Sequence, residues 1–186
     1  AAVHYFYMRE YWVTIKQTPI VYRYIDWTLT VPLQMVEFYL ILKAVKPDLG
    51  QGMFWRLLIG TVLMLAFGYM GEQSIVNPWA GFAVGMAGWA FIRFEIFAGE
   101  GGQVAGKDAG EYVGAAFNLM RFIVSIGWSI YPLGYFFGYL LGQVNADVLN
   151  LVYNLADFVN KIAFVLAIWV SAKASTEEEK FGALLA

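Results

Sequence analysis

The chain has 186 residues, 60% of them hydrophobic and 18% aromatic, with 14% charged, a net charge of −2 and no cysteine. A soluble domain carries roughly a quarter charged residues, so a deficit spread along the whole chain predicts an all-α integral membrane protein. The near-neutral charge excludes a nucleic-acid footprint, the missing cysteines exclude disulfides and thiol catalysis, and the lone His4 excludes a histidine-rich metal site.

A membrane span needs about 20 apolar residues, and polar or Gly/Pro-rich stretches mark its ends. In chain order this predicts a partial span near 1–14, then spans near 20–43, 53–71, 78–98, 112–141 and 148–172. The breaks between them are TIKQTP, VKPDLGQG, GEQSIVNP, the long AGEGGQVAGKDAGEY, and GQVNADV. The tail from residue 173 to 186 is polar at first and is expected to leave the membrane. No internal repeat stands out. Short loops make successive helices antiparallel neighbours in one bundle. Lys43, Lys46 and Arg56 flank one loop, Lys107 sits in a second on the same side, and Lys173 and Lys180 lie in the tail. By the positive-inside rule that side, with the C-terminus, is cytoplasmic.

The second element, RYIDWTLTVPLQMVEFYLIL, carries Arg23, Asp26 and Glu37 inside an apolar helix. The last span carries Asp157 and Lys161 near its centre. Each isolated charge at bilayer depth costs roughly 2.5–3.5 kcal/mol on insertion scales. Spacing i, i+4 puts Asp157 and Lys161 on one face, where they partly neutralise each other. A structural ion pair joining helices satisfies that pattern. So does lysine chemistry, because a desolvated amine loses its proton readily and condenses with an aldehyde. Arg23 and Asp26 lie within one turn, and Thr30 follows Asp26 at i+4. Packed beside the lysine helix, two cations and two carboxylates would sum to zero, as a low-dielectric site requires. Glu37 lies about 16 Å beyond Asp26 along the helix at 1.5 Å per residue. Its apolar neighbours Met35, Val36, Phe38 and Leu40 favour the neutral acid.

These segments, with YNLADFVNKI in the last span and GWSIYPLGYFFGYL before it, resemble the microbial rhodopsins, and within them the proteorhodopsin group of light-driven proton pumps. The resemblance covers essentially the whole chain. It implies a seven-helix bundle of which about six helices are represented, the chain starting inside the second, with residues 1–172 as a retinal-binding transmembrane domain and 173–186 as a cytoplasmic tail. It implies all-trans retinal bound to Lys161 as a Schiff base, Asp26 as proton acceptor, Asp157 as second counterion, Arg23 between them, and Glu37 as cytoplasmic proton donor. Thr30 completes the Asp/Thr/Glu trio of outward pumps. A chloride pump would need a neutral residue at 26, a sodium pump typically Asn at 26 and Gln at 37, and a photosensor usually lacks the carboxyl donor.

The resemblance also places Trp27 and Trp128 against the polyene, with Trp89, Tyr131 and Tyr135 nearby and Met64 and Gly68 at ring-side positions. The alternative for such aromatics is ordinary helix packing. Pro32 and Pro132 free the carbonyls of Thr28 and Trp128, as simple kinks or, at Pro132, as part of a moving helix. His4 is expected to pair with Asp26 near a protomer interface, implying a homo-oligomer, pentamer or hexamer, in a bacterial cell membrane with lipid as its other partner. Gln34 occupies the position where glutamine accompanies blue absorption. Phe82 stands where antenna-carrying relatives have glycine, so no carotenoid antenna is expected. Glu72 is open to two readings, a proton-release group or a solvated loop acid. A chromophore-free transporter with buried ion pairs along its path remains the alternative from another class.

Overall fold

The computed structural model describes residues 2–185, with side chains from 3 to 178. The described residues are helical and loop, without strands. Helix α1 spans Ala2–Ile15, α2 Ile20–Val45, α3 Gly52–Glu72 and α4 Pro78–Phe97. A short α5 (Glu100–Lys107) precedes α6 (Gly110–Ser125), a 3-10 turn Gly127–Ser129, α7 (Ile130–Gly134) and a π-helical turn Tyr135–Leu140. Helix α8 runs from Ala146 to Leu185. Five stretches are long and apolar enough to cross a membrane: Ile20–Val45, Gly52–Glu72, Pro78–Lys107, Gly110–Leu140 and Ala146–Glu178.

Burial is inverted relative to a water-soluble bundle. Leu29, Leu33, Leu151, Leu155 and Phe158 are exposed, whereas Arg23, Asp26, Glu95, Asn150 and Asp157 are buried. Only lipid makes both choices favourable at once, since apolar faces rest in hydrocarbon and polar groups must find partners inside. The protein is an all-helical, multi-pass membrane bundle.

Helices α3 and α4 make the closest crossing, and glycine is the reason. A Cβ on Gly81 would lie 2.7 Å from Gly71 Cα, and one on Gly88 would lie 2.7 Å from Met64 N. Small residues let backbones approach where lipid supplies no hydrophobic drive between helices.

Two stretches depart from the reading by composition. The Gly-rich segment 98–112, read as a break, contains α5, which buries Gly101 and Val104. Arg56 holds it there, donating from Nε to Glu95 Oε2 at 2.7 Å and from Nη2 to both Glu95 Oε1 at 3.0 Å and Glu100 Oε2 at 2.6 Å. Glycine lowers helix propensity, but tertiary ion pairing overrides it. Lys46 Nζ also meets Asp108 Oδ2 at 3.0 Å, so the loops after α2 and α4 share one end of the bundle, as the basic residues implied. The Asp108 carboxylate hydrogen-bonds the exposed Lys46 and raises its pKa above the ordinary ammonium value.

The second departure is the span from 110 to 140, expected as one helix and found in segments. Asn160 Nδ2 donates to the Gly127 carbonyl at 3.0 Å, and a Cβ on Gly127 would overlap the Asn160 amide. Pro132 then lacks the N–H that the Trp128 carbonyl would accept. At the C-terminal end, helix α8 continues unbroken into the polar tail; the side chains of Glu179 and Lys180 lie outside the described residues.

Candidate functional site

Helices α2 and α8 bring the predicted charges together in mid-bundle. Lys161 Nζ donates a hydrogen bond to Asp26 Oδ2 and lies 3.6 Å from Asp157 Oδ2. Asp26 and Asp157 are 4% and 2% exposed, so both carboxylates are removed from solvent with the amine that balances them. Sharing one face at i, i+4 explains the Asp157 contact; the Asp26 contact needs α2 against α8.

The two carboxylates are held differently. Asp157 Oδ1 accepts from Tyr131 Oη at 2.5 Å, its Oδ2 accepts from Trp27 Nε1 at 3.0 Å, and Tyr5 Oη donates to Oδ2 as well. The Asp26 carboxylate has Lys161 as its hydrogen-bond partner among the described residues. Hydrogen bonds to a charged acceptor contribute roughly 1.5–3 kcal/mol each. Asp157 is therefore the more firmly held of the two carboxylates, and Asp26 faces the amine.

Lys161 lines a predominantly apolar cavity formed by α2, α3, α4, the segmented span and α8. Trp27, Gln34, Met64, Gly68, Trp89, Trp128, Tyr131, Tyr135 and Lys161, all predicted to line a pocket, line it. Its walls are fixed by hydrogen bonds from their polar edges. Trp89 Nε1 donates to the Val124 carbonyl at 2.9 Å, and Tyr135 Oη to the Pro78 carbonyl at 2.9 Å. Phe82 fills its corner against Tyr135 and Phe136, with ring centroids 5.3 and 6.0 Å away.

Several expected contacts are arranged otherwise. His4 Nε2 donates to the Tyr22 carbonyl at 2.6 Å and its ring packs against Tyr22, one turn before Asp26, instead of meeting the Asp26 carboxylate. Thr30 donates its hydroxyl to the Asp26 backbone carbonyl at 3.0 Å, not to the carboxylate. Arg23 does not bridge the two aspartates; its Nη2 donates to Asn150 Oδ1 at 2.5 Å and its guanidinium lies 4.8 Å over the Tyr153 ring. At i−3 from Asp26 it points toward the opposite end of the bundle from Lys46 and α5. Glu37 is half-buried with Oε2 unpartnered, clear of the cavity. Glu72 is 8% exposed and accepts from Tyr24 Oη at 2.9 Å, so it is no solvated loop acid. Tyr5 was missed: in an aromatic-rich helix nothing marks one tyrosine hydroxyl as a carboxylate partner.

The profile described as bacteriorhodopsin-like protein matches residues 1–175. The chain belongs to the bacteriorhodopsin-like family. Within it, the chain is 50% identical over 175 residues to a green-light absorbing proteorhodopsin of Gamma-proteobacterium EBAC31A08, covering 93% of this chain and 70% of that relative. It is 49% identical over 176 residues to a blue-light absorbing proteorhodopsin of Gamma-proteobacterium Hot 75m4, covering 93% and 69%. The crystal structure of blue light-absorbing proteorhodopsin from Med12 superposes with a TM-score of 0.76 at 45% identity, covering 92% of this chain and 76% of that one. Green- and blue-absorbing family members are thus equally similar, and overall identity does not set the colour.

Proposed function

We propose that the protein is a light-driven outward proton pump that holds all-trans retinal covalently on Lys161. The observation that carries this reading is Lys161 Nζ at the edge of an aromatic cavity inside the membrane, balanced by two buried carboxylates. The residues fit such a group. Trp89 and Trp128 supply flat apolar walls, and the cavity ends at a single reactive amine. A cation left on that nitrogen after condensation keeps Asp26 and Asp157 as counter-charges. Bound retinal would supply the light-driven change of shape that unsettles the proton on this nitrogen.

The chain's own residues then carry the proton. Asp26 receives it from Lys161 Nζ, because the two are already hydrogen-bonded and Asp157 already accepts from three other donors. Glu37 returns a proton from the cytoplasmic half. Phe38, next to Glu37 in sequence, packs with Phe117 and with Phe164 of the lysine helix in a fully buried cluster, with ring centroids 5.2 and 5.4 Å from Phe38. That cluster opposes passage at rest and gives the path a direction. Access must therefore change between two conformations, for which the segmented span at Gly127–Leu140 offers the give. The C-terminus lies in the cytoplasm of a bacterial cell, and subunits associate as a homo-oligomer. Gln34, 7% exposed and lining the cavity, supports a blue-absorbing form.

The test is colour and pH. Membranes given all-trans retinal should develop a visible band that Lys161→Ala abolishes, and illuminated cells should acidify the medium reversibly. Asp26→Asn should keep the colour and lose the acidification. A colourless wild type, or a coloured one that moves no protons, overturns the reading.

A further inference from the structure

Helix α4 carries Trp89, Arg93 and Phe97 at i, i+4 and i+8, a spacing that puts all three on one stripe. The stripe runs along α6. Trp89 is buried, and its Nε1 donates to the Val124 carbonyl of α6 at 2.9 Å. At the other end Arg121 of α6 lays its guanidinium over Phe97, 4.8 Å from the ring centroid. Arg93 lies between them in sequence, its guanidinium 5.1 Å from the Trp89 ring centroid. Two cations, one from each helix, thus enter a single seam about 12 Å long at 1.5 Å rise per residue. The seam opens toward lipid, for Arg93 is exposed and Arg121 half-buried, beside the exposed rings of Phe94, Phe97 and Phe122.

Neither arginine has an ion-pair partner among the described residues. The four acids between residues 78 and 125 are Glu95, Glu100, Asp108 and Glu111. Glu95 and Glu100 hold Arg56, and Asp108 holds Lys46. Glu95 is also buried, and at i+2 from Arg93 it does not share its face. Glu111 precedes Arg121 by ten residues, about 15 Å along α6. An aromatic face attracts a guanidinium, yet it leaves the five N–H donors in the guanidinium plane without acceptors. Hydrocarbon offers them none either, and two like charges in one seam repel each other. What the seam lacks is an anion with several oxygens.

We propose that the seam between α4 and α6 binds the phosphate of an anionic phospholipid from the leaflet on the α5 side, with Arg93 and Arg121 as its ligands. Guanidinium forks match phosphate oxygens through paired hydrogen bonds. The acyl chains of that lipid lie against Phe94 and Phe122. Basic pockets between spanning helices suit such head groups. A zwitterionic lipid carries its own cation into the seam and so gains less there. The bound phosphate ties α6 to α4 on the α5 side of the break at Gly127.

The test needs neither colour nor pumping. Protein is released from bilayers of phosphatidylcholine and phosphatidylglycerol in equal parts, and native mass spectrometry reads which lipid stays on the singly lipid-bound species. Wild type is expected to retain phosphatidylglycerol in excess. At roughly fivefold for each basic residue beside an anionic head group, Arg93→Gln and Arg121→Gln should each lower that excess about fivefold, and the double variant should bring it to parity. Should the double variant fail to insert, the single variants carry the test, and wild type without the excess overturns the proposal by itself. An excess that survives both single substitutions belongs to other cations and also overturns it. Displacement of the lipid by added inorganic phosphate overturns the lipid as occupant. Equal retention of both lipids, with a subunit number that changes in the double variant, overturns it in favour of an acidic group on a second copy of the chain.

Discussion

Replacing both Tyr5 and Tyr131 by phenylalanine should redirect the transferred proton. The rings are retained, so the Trp27–Tyr131 edge contact with centroids 5.1 Å apart survives and the change is confined to two hydroxyls. Both hydroxyls donate to Asp157, and neither donates to Asp26. At roughly 1.5–3 kcal/mol per hydrogen bond to an ion, the pair contributes about 3–6 kcal/mol to holding Asp157 as an anion. With ~1.4 kcal/mol per factor of ten, the preference of the proton for Asp26 over Asp157 falls by about 10²–10⁴. Water entering the vacated space recovers part of this, so the lower figure is the expected shift. Time-resolved infrared spectra read it directly. The Asp157 carboxyl band, identified by its loss in Asp157→Asn, should grow while that of Asp26 shrinks, and light-driven acidification should fall with it. If Asp26 still takes the whole proton in the double variant, with the dark absorption band unmoved, the division of labour between the two carboxylates is wrong.

Four further outcomes follow from the same geometry. Gln34→Leu removes a polar amide from the cavity wall and should move the absorption maximum from blue toward green, read by a single visible spectrum. Glu37→Gln should preserve colour and the first proton transfer while slowing recovery by roughly 10²-fold or more, the usual contribution of a positioned acid, measured by flash photolysis. Phe38→Ala opens a void beside Phe117 and Phe164; it should cost about 3 kcal/mol, lowering the thermal bleaching midpoint, and should let water reach Glu37, speeding recovery. Because Asp108 raises the pKa of Lys46, the bridge is intact at neutral pH and its contribution is lost as pH climbs through that raised value. Thermal midpoints of wild type and Asp108→Asn should therefore differ slightly at neutral pH, converge in strong alkali, and converge sooner in high salt.

The sequence by itself marked the apolar spans and the charged residues set inside them. Length and apolar content are local quantities, and a charge such as Lys161 or Asp26 inside an apolar stretch is conspicuous because each is costly in lipid. The pocket-lining aromatics were legible through a resemblance, not through their spacing, which ordinary helix packing explains equally well. Tertiary structure alone decided the partners. Whether Arg23 turns to Asp157 or to Asn150, and whether His4 meets Asp26 or a carbonyl, depend on which neighbouring helix stands within 3 Å. The helix across 100–107 belongs to the same class, since Arg56 stabilises it from 44 residues away from Glu100. A tyrosine hydroxyl such as that of Tyr5, or a terminal acid such as Glu72, carries no local mark of burial. Its role is set by the groups that the fold brings to it.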